Sequence, residues 1–187
     1  MDERKWIERI LAGDTQSFSC LVAKYEKMAY TIALRILENR EEAEEAVQDA
    51  FVKMYRALSD FHFDSKFSTW FYRIVYRTAL TALRQQRMSV SYEEAGPVDL
   101  SNDEVESATA LLEREDRKEM IARTLKKLPA DEALLLTLYY LEECSVEEIC
   151  QITELSASNV KVKLFRGRKR FYEVLQDKMK LETADLL

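Results

Sequence analysis

Turn-forming residues are scarce in this chain: 3 Gly and 2 Pro are spread over 187 residues. Many short strands would need a turn every 8–12 residues or so, and an all-β fold is therefore excluded. Histidine occurs once, at His62, and the 3 cysteines, Cys20, Cys144 and Cys150, lack metal-ligand spacing. No metal or other cofactor is implied, and the thiols are expected to pack as small buried hydrophobes. No apolar run approaches the roughly 20 residues that span a bilayer, and the charged start Met1-Asp2-Glu3-Arg4-Lys5 leads into no apolar leader segment. Stable membrane insertion is not expected, and a cytoplasmic location is. Gly-rich phosphate loops and nucleophile motifs are lacking too, which argues against an enzyme.

What is present is apolar and charged residue in quantity, 47% and 33%, enough to build a packed core. The length suits one large domain or two small ones. From Lys5 to Leu83 apolar residues recur at three- and four-residue steps. After Asp14, a candidate N-cap, the stripe Phe18, Leu21, Val22, Tyr25, Met28, Ala29, Ile32 and Ile36 predicts one helix. Asn39 with Glu42 three residues on reads as a capping-box-like start to the next, whose inner face is Ala43, Val47, Ala50, Phe51, Met54 and Leu58. Its outer face carries Glu41, Glu44, Glu45, Gln48 and Asp49. A polar stretch, Ser59 to Ser65, precedes a third helix from about Phe67 to Arg87.

Between Met88 and about Ala108 the pattern breaks, and the Gly96-Pro97 pair sits among Ser, Asp and Glu, as in a linker. Helical periodicity resumes near Leu111, stops at Leu128-Pro129 and restarts from Asp131 to Leu141. A capping box, Ser145-Val146-Glu147-Glu148, heads a short helix, and a last helix runs from about Ala157 to Met179. The expectation is an all-α chain of two helical domains, residues 1–88 and 111–187, joined by a flexible acidic tether at 89–110.

The net charge of −6 excludes a uniformly basic nucleic-acid binder, but it is an average. Residues 61–90 hold five cations against one acid, 161–187 hold eight against four, and 91–120 hold three against ten. Two islands of +4 thus flank a segment of −7. Such islands suit phosphate, although cations at helix ends also complement the helix dipole. In the second island Val160, Leu164, Gly167, Phe171 and Leu175 form a buried stripe, and Asn159, Lys163, Arg166 and Arg170 follow the same steps one residue earlier as an exposed row. Ser145 to Thr153, a short turn and a helix from about Ser156 match helix-turn-helix spacing, in which the second helix enters the major groove. Asn159 suits adenine, and Lys or Arg suits guanine or phosphate. Ser156 and Ser158 either cap that helix or bind phosphate, capping being the better fit for Ser156.

In the first island Arg73, Arg77 and Arg84 share a face, with Phe67, Trp70, Phe71 and Ile74 on another that reads as core. Tyr72 and Tyr76 flank the arginines, and aromatics interleaved with cations suit single-stranded nucleic acid. Phe61, His62 and Phe63 are read as exposed in the preceding loop, where an unstacked base fits; a local packing anchor is the competing reading for the phenylalanines.

These blocks together resemble the extracytoplasmic-function group of bacterial sigma factors, from about Ser17 to Leu175. Glu42 to Phe51 resembles the region 2 polymerase-binding helix, Lys66 to Ile74 the promoter-melting segment, and Leu128-Pro129, Glu148-Ile149, Val160-Lys161 and Arg166-Gly167-Arg168 fall where region 4 has its equivalents. The resemblance implies core RNA polymerase, through its largest catalytic subunit, as a partner of Glu45, Gln48 and Asp49. It implies promoter DNA as the second partner. Its minus-ten element would meet Phe61, His62, Phe63, Asp64, Ser65, Lys66, Ser68, Trp70, Arg73, Arg77 and Arg84. Its minus-thirty-five element would meet Ser156, Ser158, Asn159, Lys161, Lys163, Arg166 and Arg170. An anti-sigma factor is implied as a regulator. Arg77, Thr81, Glu154, Asn159 and Phe165 depart from the usual residues of the group, Glu154 standing where glycine is common. The competing reading is a stand-alone helix-turn-helix regulator that binds duplex operator through its second domain.

Overall fold

The computed structural model describes residues 3–89 and 119–184, with side chains through residue 86 in the first stretch and residue 177 in the second. Among the described residues every regular element is helical. The order is α1 (Glu3–Leu11), α2 (Gln16–Leu37), α3 (Arg40–Arg56), a 3-10 turn (Leu58–Asp60), α4 (Phe67–Ser89), the helical residues 119–126 (α5), α6 (Ala130–Tyr140), α7 (Val146–Thr153) and α8 (Ala157–Ala184). The tether expected at 89–110 and the start of the second domain lie, Ser89 apart, outside the described residues.

Helix starts follow local chemistry. Asp14 precedes α2, and its carboxylate accepts the Gln16 backbone N–H at 3.0 Å, the Ser17 N–H at 3.4 Å and the Ser17 hydroxyl at 2.9 Å. It satisfies donors that the first turn leaves orphaned, although the helix formally begins after Thr15. Asn39 caps α3 by accepting the Glu42 N–H at 3.2 Å, but the reciprocal half of the expected box is absent. Glu42 turns instead to α4, where Gln86 donates to it at 3.1 Å. At Ser145 both halves of the box are made, at 2.8 and 3.2 Å.

Helices α2, α3 and α4 pack against one another, and α1 lies against α2. Leu21, Ile32, Met54, Phe71 and Val75 are fully buried between them. Each such side chain stabilises the fold by about 1.5–3 kcal/mol relative to exposure. An aromatic cluster fills the centre, with Phe51 and Phe71 ring centroids 4.8 Å apart and Tyr25 and Phe67 5.3 Å apart. The predicted stripe of α2 faces this core, with Phe18, Val22 and Ile36 only partly covered at its margins.

In the carboxy-terminal half, α6 packs on α8, and α7 on both. Leu135, Leu138, Ile149, Ile152, Val160 and Leu164 form the interior. Gly167 permits the α6–α8 approach: a Cβ there would sit 3.2 Å from Leu136 Cδ1 and 3.3 Å from Glu132 Cβ. The buried Thr124, Thr137 and Thr153 hydroxyls donate to carbonyls four residues earlier, which removes the cost of burying them. The two halves also meet, α4 against α7 and α2 against α6.

The cysteines divide. Cys144 is buried and Cys150 half-buried, but Cys20 is exposed, against expectation, because its position on α2 turns it away from the Leu21 and Tyr25 face. Burial, reinforced by Glu148 and Glu142, pushes the Cys144 thiol up to about 11, which leaves it protonated and unreactive near neutral pH.

Candidate nucleic-acid interfaces

Glu45, Gln48 and Asp49 are exposed on α3, and Glu41 and Glu44 extend the same surface. The inward face of that helix, Ala43, Ala46, Val47 and Ala50, is buried, so the acidic row is held outward by packing.

The loop before α4 is more ordered than its polarity suggests. Phe61 is 6% exposed and packs against Phe63, Phe67 and Trp70, with ring centroids 4.8, 5.4 and 5.1 Å away. The expectation that Phe61 is open to a base is therefore corrected: it anchors the loop. Phe63 is exposed, has φ of 61° and lies under the Arg4 guanidinium at 4.5 Å. His62, Asp64 and Lys66 are exposed, Ser65, Ser68 and Trp70 half-buried. Trp70 packs against Phe61 and Phe67 with its ring tilted to both.

Arg73, Arg77 and Arg84 are exposed along α4, as their spacing predicts. Tyr72 is not available for stacking: it is 2% exposed, and its hydroxyl donates to Glu142 at 2.8 Å. Burial and that neighbouring carboxylate raise its pKa far above the ordinary phenol value, so it stays protonated. Tyr76 remains half-buried.

On α8, Ser156 caps the helix by accepting the Asn159 N–H at 3.4 Å, and its hydroxyl meets that of Ser158 at 3.1 Å. The predicted stripe is buried at Val160, Leu164 and Gly167 and partly covered at Phe171 and Leu175. The predicted cationic row splits. Arg170 donates to Glu132 at 2.9 Å and Lys163 pairs with Asp131, both on α6. The Lys163 ammonium overcomes the effect of partial burial on Asp131 and holds that carboxyl below its usual range. The side chains of Asn159, Lys161 and Arg166 are exposed, and Asn159 meets Ser156 only through its backbone N–H.

Directly opposite the buried stripe stand Ser158, Val162, Phe165 and Lys169. Val162 and Phe165 are 47% and 66% exposed, unusual for apolar side chains on a helix that has its own core to fill. Charge counting misses them; the phase of the stripe, half a turn away, finds them.

A helical bundle joined to a helix-turn-helix whose second helix carries open cations and apolar side chains defines a DNA-binding protein of the helix-turn-helix class. Sequence comparison makes this specific: residues 21–88 match Sigma-70 region 2, and residues 118–171 match Sigma-70, region 4. The chain is 32% identical over 181 residues to the RNA polymerase sigma-H factor of Pseudomonas aeruginosa, covering 93% of this chain and 94% of the relative. It is 31% identical over 170 residues to the ECF RNA polymerase sigma-E factor of Escherichia coli K12, covering 87% and 88%. The chain belongs to the extracytoplasmic-function group of RNA polymerase sigma factors, which bind core RNA polymerase and direct promoter-specific initiation.

The fold agrees. It superposes with a TM-score of 0.67 on a Bartonella quintana sigma factor, RpoE, solved with the anti-sigma factor NepR, at 18% identity over 87% of this chain and 98% of that one. It superposes at 0.61 on CnrH, solved with the cytosolic domain of CnrY, at 22% identity over 94% and 97%. Among the described residues, no helix is long and apolar enough to cross a membrane.

Proposed function

We propose that this sigma factor docks on the largest catalytic subunit of core polymerase through Glu45, Gln48 and Asp49. The division into a first domain at 1–88, a tether at 89–110 and a second domain at 111–187 separates two promoter contacts. The minus-ten element meets the loop and the outer face of α4, through His62, Phe63, Asp64, Lys66, Arg73, Arg77 and Arg84, with Ser65, Ser68 and Trp70 at their border. Phe61 supports that loop from beneath. The minus-thirty-five element meets Ser158, Asn159, Lys161 and Arg166 on α8, with Val162 and Phe165 positioned for thymine methyl groups. The protein works in the cytoplasm and carries no chemistry of its own. The solved relatives bound to an anti-sigma factor and to a cytosolic domain support regulation of this chain by an anti-sigma factor.

The observation that carries this reading is the outward-held acidic row of α3, which a stand-alone operator-binding regulator would not need. The test is charge reversal at Glu45 and Asp49 together. Co-purification with core polymerase and promoter-dependent transcription should both be lost while helicity is unchanged. Retained polymerase binding would overturn the docking assignment, and tight duplex operator binding by the free chain would favour the stand-alone regulator.

A further inference from the structure

Among the described residues, five side-chain contacts join α4, or Lys66 just before it, to α7 or the turns beside it, and every one places a first-half donor on a second-half carboxylate. Arg77 Nε donates to Glu154 at 2.8 Å, and Arg73 reaches the same oxygen at 3.5 Å. Lys66 lies 3.0 Å from Glu148, and Tyr72 donates to Glu142 at 2.8 Å. Thr69 adds a longer hydrogen bond to Glu148 at 3.4 Å. Three of these donors, Lys66, Arg73 and Arg77, are cations assigned above to the promoter strand. A guanidinium held by a carboxylate is not free to hold a phosphate, so this packing and strand binding exclude each other.

Glu154 occupies a position that draws attention to it. It ends α7 in the left-handed region, at φ of 62°, with its N–H donating to Cys150 at 2.8 Å. Glycine adopts that conformation freely, whereas a residue with a Cβ does so at a cost. The carboxylate gained in return points at two arginines.

We propose that the free protein holds a self-inhibited, closed state in which Glu154 latches α7 onto the promoter-melting face of α4, with Glu148 and Glu142 as supporting contacts. The acidic row of α3 stays outside the seam and open. Polymerase therefore has access to the closed form and promoter DNA does not, which orders the two encounters. Exposed ion pairs are individually weak, so binding to polymerase suffices to shift the population toward the open form. The inference rests on the promoter assignment above for its biological meaning, but closure itself does not depend on it.

The test is small-angle X-ray scattering of the full-length free protein, with circular dichroism to establish folding. A closed chain of this length has a radius of gyration of about 16 Å. Glu154→Gly, which suits the left-handed turn, and Arg77→Glu should each raise it at unchanged helicity, and Arg77→Glu combined with Glu154→Arg should restore it. Glu154→Gly should also bind a fluorescein-labelled non-template single strand several-fold more tightly than the unaltered chain, yet initiate equally well once assembled with polymerase. Identical scattering for all four proteins, or failure of the swapped pair to restore closure, would overturn the latch. If scattering behaves as expected but no variant binds the strand, closure stands and the promoter assignment of α4 falls.

Discussion

Arg170 donates to the Glu132 carboxylate at 2.9 Å, tying a cation of α8 to an acid of α6 that is only 7% exposed. The other carboxylate oxygen of Glu132 is buried without a hydrogen-bond partner, so Arg170 supplies the charge compensation for the group. Arg170 thus belongs to the packing of the helix-turn-helix more than to its groove-facing side.

Truncating Arg166 and Arg170 of this helix in turn should therefore separate stability from recognition. Arg170→Ala leaves a buried carboxylate uncompensated and should cost about 1–3 kcal/mol of stability, with promoter preference retained. Arg166→Ala should leave the melting temperature in place and cost about 1–3 kcal/mol of promoter binding. Denaturant melts and promoter titrations at fixed salt read the two effects. A change of selectivity in the Arg170 variant would restore that residue to the base-reading set.

Gly167 offers a packing test on the same pair of helices. A branched side chain there meets the side chains of Leu136 and Glu132 within 3.3 Å of its first carbon. Gly167→Val should lower stability by about 1–3 kcal/mol through overpacking. A melt showing no loss would mean that α6 and α8 part easily.

Ser145 tests the start of the helix-turn-helix. Its hydroxyl accepts the Glu148 N–H and its own N–H donates back to the Glu148 carboxylate. Ser145→Ala should cost about 1 kcal/mol, and Ser145→Asp, which keeps an acceptor, should cost less. Equal losses in urea melts would discount the capping account.

The contrast between Asp14 or Ser145 and Phe61 shows what was legible in advance. Caps, stripes and helix order depend on neighbours a few residues away, so α2, α3, α4, α7 and α8 are all readable from spacing. Phe61 is held by Phe67 and Trp70 in a particular rotation of α4, and loop composition carries no record of that. Lys163 and Arg170 look like groove cations until α6 brings Asp131 and Glu132 beside them from about thirty residues away in the chain. Glu154 reads as an odd turn residue in sequence, and its partners Arg73 and Arg77 emerge only when α4 and α7 are set together.

The contacts between the halves should respond to acid with a defined sign. The Arg77 hydrogen bond holds the Glu154 carboxyl below its ordinary value. At Glu148 burial pushes upward, but hydrogen bonds from Ser145 and Lys66 outweigh it, and that carboxyl is also depressed. A carboxyl depressed on folding stabilises the folded form fully above its unfolded pKa, about 4.3 for Glu, and the contribution is lost as pH falls through the folded value. Lys66 runs the other way: its hydrogen bond to Glu148 raises its pKa, so its contribution is whole below an unfolded value of about 10.4 and lost as pH rises through the folded one. The melting temperatures of the unaltered chain and of Glu154→Gln should therefore differ by a constant amount through neutral pH. That gap should close below about pH 4. A gap that persists in acid would show that the stabilising effect of Glu154 does not depend on its charge, and remove the ion pair with Arg77 from the account.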